Sequence, residues 1–148
     1  MTINEKPMKK PLRFILIDDD LFALALAEKL IQGFNEYIET ITFSSARKAF
    51  NFIIQECNLM KNIIPTVLLT DLHMPKTDGL ALLDSIEKMD NAIKGQLHVF
   101  VLSAAASPGD IEKVLSHNCV TGFYSKPLSI EKIEQIIKRI QYPGSNHT

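Results

Sequence analysis

The chain has 148 residues, 46% of them hydrophobic and 22% charged, with a net charge of −1. That length and balance suit one domain with one sizeable core, and no basic stripe marks a nucleic-acid surface. No segment approaches the roughly 18 apolar residues that span a bilayer, and the two cysteines, Cys57 and Cys119, form neither a CxxC nor a zinc spacing.

The opening stretch is basic and then apolar, which mimics a signal peptide. Its apolar part, Phe14 to Ile17, is too short and runs straight into Asp18, Asp19 and Asp20. The expected location is therefore the cytoplasm, with Cys57 and Cys119 as reduced core thiols. Residues 1–11 read as a flexible lead-in. Leu12–Ile17 reads as a buried strand. A helix over Leu21–Gln32 puts Phe22, Leu26 and Leu30 on one apolar face, with Asp20 as its N-cap and Gly33 as its stop. Ile38–Phe43 alternates weakly, as a half-buried strand does. A second helix runs from Ser45 to about Leu59, carrying Ala46, Ala49, Phe50, Phe52 and Ile53. Thr66–Thr70 is the third strand, and Leu80–Met89 is helical after Gly79. Leu97–Leu102 is the fourth strand. Pro108–His117 opens with strong start signals: Ser107 as N-cap, Pro108 in the first turn and Asp110 three residues after the cap. Thr121–Tyr124 is the fifth strand. Ser129 opens a last helix with Ile130, Ile133, Ile137 and Ile140 as its stripe, and residues 142–148 form a tail.

Strands alternating with helices of this length imply an α/β, (βα)5 chain with a five-stranded parallel sheet covered on both faces. The strings LRFILI, TVLL and HVFVL are apolar throughout, as central strands of such a sheet are. Ligands of doubly wound sheets sit at the carboxyl ends of the strands. There the sequence places Asp18, Asp19 and Asp20 after strand one, Asp71 after strand three, Ser103 after strand four, and Lys126 shortly after strand five. One aspartate beside a helix start is ordinarily a cap, one serine a turn residue and one lysine a solvated loop residue. The joint placement at one edge is more demanding. Carboxylates about 4 Å apart repel by about 4 kcal/mol at an effective dielectric of 20. A divalent cation and the Lys126 ammonium are the natural counterweights, and an all-oxygen donor set points to Mg²⁺ rather than zinc. Such a set forms a cradle for the oxygens of a phosphoryl group, with Asp71 as nucleophile forming an acyl phosphate.

Four blocks, Leu16–Ile17–Asp18–Asp19, Leu69 to Pro75 with Asp78–Gly79, Ser103–Ala104 and Lys126–Pro127, resemble the signatures of response-regulator receiver domains of two-component signalling. The resemblance covers roughly residues 12–141 and implies a flavodoxin-like receiver fold with strand order 2-1-3-4-5. It implies Asp71 as phosphoacceptor, and Asp18, Asp19, Asp71 and the His73 backbone carbonyl around Mg²⁺ or Mn²⁺. Lys126 would contact the phosphoryl group, as would the Ala104 N–H. Ser103 and Phe123 would be the switch pair, with Phe123 turning inward on phosphorylation. The Lys126–Pro127 bond would be cis, and Pro75 and Gly79 would shape the loop after strand three. Ser103 stands where threonine is commoner. His73 and Ala105 lie near the path of a hydrolytic water. The stretch Phe52–Ile64 is longer than a compact receiver needs, so helix two or its loop should be extended.

The implied partners are a sensor histidine kinase or a histidine phosphotransfer protein, and a downstream protein of unknown identity. Neither direct nucleic-acid contact nor membrane insertion is expected. With no output domain after residue 141, the expectation is a stand-alone, non-enzymatic switch, either a phosphorelay intermediate or a chemotaxis-type effector. Two rival readings each meet an obstacle. A haloacid-dehalogenase-like phosphatase would need a second aspartate where His73 stands. A phosphorylation-independent interaction module would typically have lost the phosphoacceptor, an acid or the lysine, and all are present here.

Overall fold

The computed structural model describes residues 11–59, 64–74, 79–104 and 106–141. The lead-in over residues 1–10, the tail, the side chain of Cys57, and Pro75 and Ala105 lie outside the described residues. The chain runs β1 (Leu12–Ile17), α1 (Leu21–Phe34), β2 (Ile38–Phe43), α2 (Ala46–Leu59), β3 (Thr66–Thr70), α3 (Gly79–Glu87), α4 (Asn91–Lys94), β4 (Leu97–Ser103), α5 (Pro108–Leu115), β5 (Val120–Ser125) and α6 (Ile130–Gln141). The five strands form one parallel sheet in the order β2-β1-β3-β4-β5. Fold class and strand order agree with the sequence reading.

Alternate residues of the central strands feed two cores. Ile15, Ile17, Leu68, Val99 and Val101 face the side covered by α2, α3 and α5. Phe14, Leu16, Leu69, Phe100 and Leu102 face α1 and α6. Both faces of β1, β3 and β4 are buried, which explains their unbroken apolar sequences. The sheet order reverses between β1 and β3, so the crevice at their carboxyl ends is the switch point of the fold.

Several local expectations need correction. Gly33 lies inside α1, which continues to Phe34 and ends at Asn35 in extended conformation. The buried stripe of α1 is Leu24 and Ile31, flanked by Ala27, Leu30 and Phe34. Phe22 and Leu26 are instead 72% and 54% exposed. In α6, Ile133, Ile136 and Ile137 are buried while Ile130 is exposed. The single turn α4, capped by Asp90, was not foreseen. α3 starts at Gly79, and α5 stops at Leu115, short of His117. α2 extends over 14 residues to Leu59, in keeping with the long Phe52–Ile64 stretch. Cys119 is a half-buried free thiol, which burial, first, and the nearby Glu87 carboxylate push up to about 11.

Candidate functional site

The three aspartates after β1 divide three tasks. Asp18 is buried, and its Oδ1 accepts the Asp20 N–H at 2.9 Å, turning the chain out of the strand. Asp20 caps α1, accepting the N–H groups of Phe22 and Ala23 at 3.0 and 3.2 Å. Asp19 is exposed and, among the described residues, has no hydrogen-bond or ion-pair partner. Asp71 leaves β3 held by its N–H on the Ile17 carbonyl at 2.9 Å, and its side chain is buried. Gly79, the first residue of α3, presses against this turn: a Cβ there would lie 2.8 Å from the Asp71 carbonyl oxygen and 2.7 Å from that of Leu72. Only a residue without a side chain admits that approach.

Lys126 arrives from the far side of the sheet. Its N–H bonds the Ser103 carbonyl at 3.0 Å, and the Lys126–Pro127 bond is cis. Its Nζ donates to Asp18 Oδ2 at 2.5 Å and to Asp71 Oδ2 at 3.1 Å. Burial works against this charge, but the bonds to the two carboxylates outweigh it and raise the ammonium above its ordinary value. One carboxylate oxygen each from Asp18, Asp19 and Asp71 lie within 4.8 Å of one another. Three carboxylates against one ammonium leave an excess of two negative charges. This hard, all-oxygen donor set fits a divalent cation of the Mg²⁺ type.

Asp18, Asp19, Asp71 and Lys126, all singled out from sequence, are therefore brought together. Ser103 is buried at the end of β4, in register with Ser125, and Ala104 after it is exposed. Phe123 lies beside Val101 in register and packs half-buried against the core on the α2, α3 and α5 side. The His73 N–H approaches Asp71 Oδ1 at 3.4 Å, whereas its ring turns away to Asp110 at 3.3 Å. Asp110 also completes the capping box of α5 with Ser107, whose backbone N–H, first, and hydroxyl hold its carboxyl below the usual range. This bridge between the loop after β3 and the first turn of α5 has no signal in the sequence. A crevice of about 330 Å³ opens beside Asp71 and Lys126, between α1 and Pro127–Leu128, with the exposed Phe22 and Leu26 at its edge.

The sequence matches the family model described as the response regulator receiver domain over residues 14–138. It is 25% identical over 138 residues to the gliding motility regulatory protein of Myxococcus xanthus, covering 93% of this chain and 16% of that protein. It is 24% identical over 137 residues to the two-component response regulator ARR2 of Arabidopsis thaliana, covering 93% and 19%. The chain thus spans under a fifth of the length of these curated relatives. A two-component response regulator from Cytophaga hutchinsonii superposes with a TM-score of 0.79 at 22% identity, covering 90% of this chain and 98% of that one. A response regulator receiver protein from Dyadobacter fermentans gives 0.74 at 27% identity, covering 86% and 96%.

Proposed function

Since the chain belongs to the response regulator receiver family, we propose that it accepts a phosphoryl group on Asp71 from a phosphohistidine and thereby changes the surface it offers to a partner. The observation that supports this best is the convergence of Asp18, Asp19 and Asp71 around a single ammonium. An Asp71 carboxylate oxygen attacks phosphorus as the histidine N–P bond breaks. The imidazole nitrogen keeps the electron pair and takes a proton from solvent. Asp18, Asp19, Asp71 and the His73 carbonyl would hold Mg²⁺ or Mn²⁺, which when bound neutralises charge on the phosphoryl oxygens. Lys126, already directed at Asp71, follows the new phosphoryl oxygens, and the Ala104 N–H donates to another.

The donor is a sensor histidine kinase or a histidine phosphotransfer protein. Its apolar side chains have a seat on Phe22 and Leu26, whose crevice is continuous with Asp71. On phosphorylation Ser103 moves toward the phosphoryl group, and Phe123 fills the space left beside β5, reshaping the α5–β5–α6 face. The Phe123 ring carries no hydroxyl, so its burial strands no polar group. A downstream protein preferring that face then binds the phosphorylated form more tightly. Among the described residues no helix is long and apolar enough to cross a membrane.

The test is incubation with acetyl phosphate and Mg²⁺, read by intact mass. One phosphoryl group per chain is expected on the native protein and none on Asp71→Asn. Turnover of acetyl phosphate without a labelled chain would indicate a phosphatase. Absence of any reaction would indicate an interaction module.

A further inference from the structure

The lysine at the site is held in place by a second lysine that never reaches it. Lys132 lies in the first turn of α6, where its N–H donates to the Ser129 hydroxyl at 3.2 Å. Its side chain runs back toward the end of β5. There Nζ donates to the Ser125 carbonyl at 2.6 Å and to the Pro127 carbonyl at 2.8 Å. These two carbonyls bracket Lys126, one in the peptide entering it and one just beyond the proline that follows. Both bonds carry a full charge on the donor, which makes them stronger than neutral ones.

Lys126 needs such support. It carries a long side chain with many rotamers, yet its Nζ has to meet Asp18 and Asp71 together. The Ser103 carbonyl fixes the Lys126 N–H on one side only. A shift of about 1 Å in a group that contacts the reacting atoms can cost as much as a hundredfold in rate. We infer that Lys132 is a positioning residue for phosphoryl transfer: by clamping the Ser125 and Pro127 carbonyls it sets the direction in which the Lys126 ammonium points. This rests on the reading of Lys126 as the phosphoryl-contacting lysine.

The experiment compares the native chain with Lys132→Met, Lys132→Gln and Lys132→Arg. Three quantities are read on each: labelling rate with acetyl phosphate, affinity for beryllofluoride, and Mg²⁺ affinity without any phosphoryl analogue. Loss of two charge-assisted hydrogen bonds should slow labelling and weaken beryllofluoride binding by about fivefold to tenfold in Lys132→Met and Lys132→Gln. Mg²⁺ affinity should not fall, because the proposed metal ligands lie on other loops and a displaced Lys126 ammonium competes less for Asp18 and Asp71. Lys132→Arg, which keeps charge and donors, should recover most of the loss. Native rate and native beryllofluoride affinity in both neutral variants would overturn the inference. So would a parallel loss of Mg²⁺ affinity, which marks general loosening. A native chain that neither labels nor binds beryllofluoride would overturn the phosphoacceptor reading, and this one with it.

Discussion

At the amino-terminal edge of the sheet, Arg13 is a cation buried inside an apolar strand, and it is surrounded by acids. It bonds Glu39 at 3.1 Å, approaches Glu56 at 3.8 Å, and lies 5.7 Å from the ring centroid of Phe52. At the carboxyl edge the excess of acid is larger: the Lys126 ammonium bonds Asp18 and Asp71, and Asp19 stands beside them without an ion pair among the described residues. Glu39 keeps more than half its side chain in water, so the first edge separates its acids and solvates one of them. At the second edge the acids are gathered instead of separated. Charge that holds the fold is spread out and relieved by solvent, whereas charge placed to bind is gathered and left for a ligand to balance.

Removing one charge from each edge tests that difference. Asp19→Asn should have the largest effect, reducing Mg²⁺-dependent labelling by acetyl phosphate to background. Native-rate labelling of this variant would remove Asp19 from the metal site. Arg13→Met should lower unfolding stability by about 1–2 kcal/mol in urea titrations, through the lost hydrogen bond and the lost stacking on Phe52. Measured without divalent cations, Asp19→Asn should move the other way, raising stability by about 1 kcal/mol through relief of carboxylate repulsion. If both substitutions destabilise equally, the two edges do not differ in the way described.

The acids and Lys126 were legible because a parallel sheet sends every strand end to the same edge, so strand positions alone predict their meeting. Their supports were not. Lys132 looks like any solvated helix lysine, and its target carbonyls become neighbours only once the chain turns after β5. Arg13 interrupts an otherwise apolar strand, yet its partners come from β2 and α2, 26 and 43 residues away in sequence. The orientation of α1 failed for a different reason. The helix is apolar nearly all round, so Phe22–Leu26–Leu30 and Leu24–Ala27–Ile31 are both acceptable stripes, and periodicity does not choose between them. Packing on the sheet chose the second, which left Phe22 and Leu26 at the mouth of the site. Gly33 misled likewise, since a glycine marks a helix end only when the backbone there needs its freedom, and this one stays helical.

The smallest expected effect comes from a third pair, beside the start of β5. His117 Nε2 meets Asp84 Oδ1 at 2.7 Å, and its Nδ1 lies 2.9 Å from the Lys113 carbonyl, joining α3 to the turn after α5. Glu87 of α3 also faces this turn, accepting the Cys119 N–H, and that bond, first among its interactions, holds its carboxyl below the usual range. Burial disfavours the imidazolium, but Asp84 and the Lys113 carbonyl outweigh it and raise His117 above its ordinary value. A raised folded-state value means that the pair's stabilisation is complete below the unfolded histidine's pKa of about 6.5. It fades as pH rises through the folded value. Asp84 is 64% exposed, so the contribution is that of a solvated pair, at most about 1 kcal/mol. His98 opposes it: burial lowers its pKa, so it takes stability away as pH falls. The native pH–stability curve mixes the two, and only the difference between the native chain and His117→Gln isolates the pair. That difference should be greatest near about pH 6 and shrink toward about pH 8. A difference that stays constant across this range would mean that His117 contributes through packing and its neutral hydrogen bond to Lys113 alone.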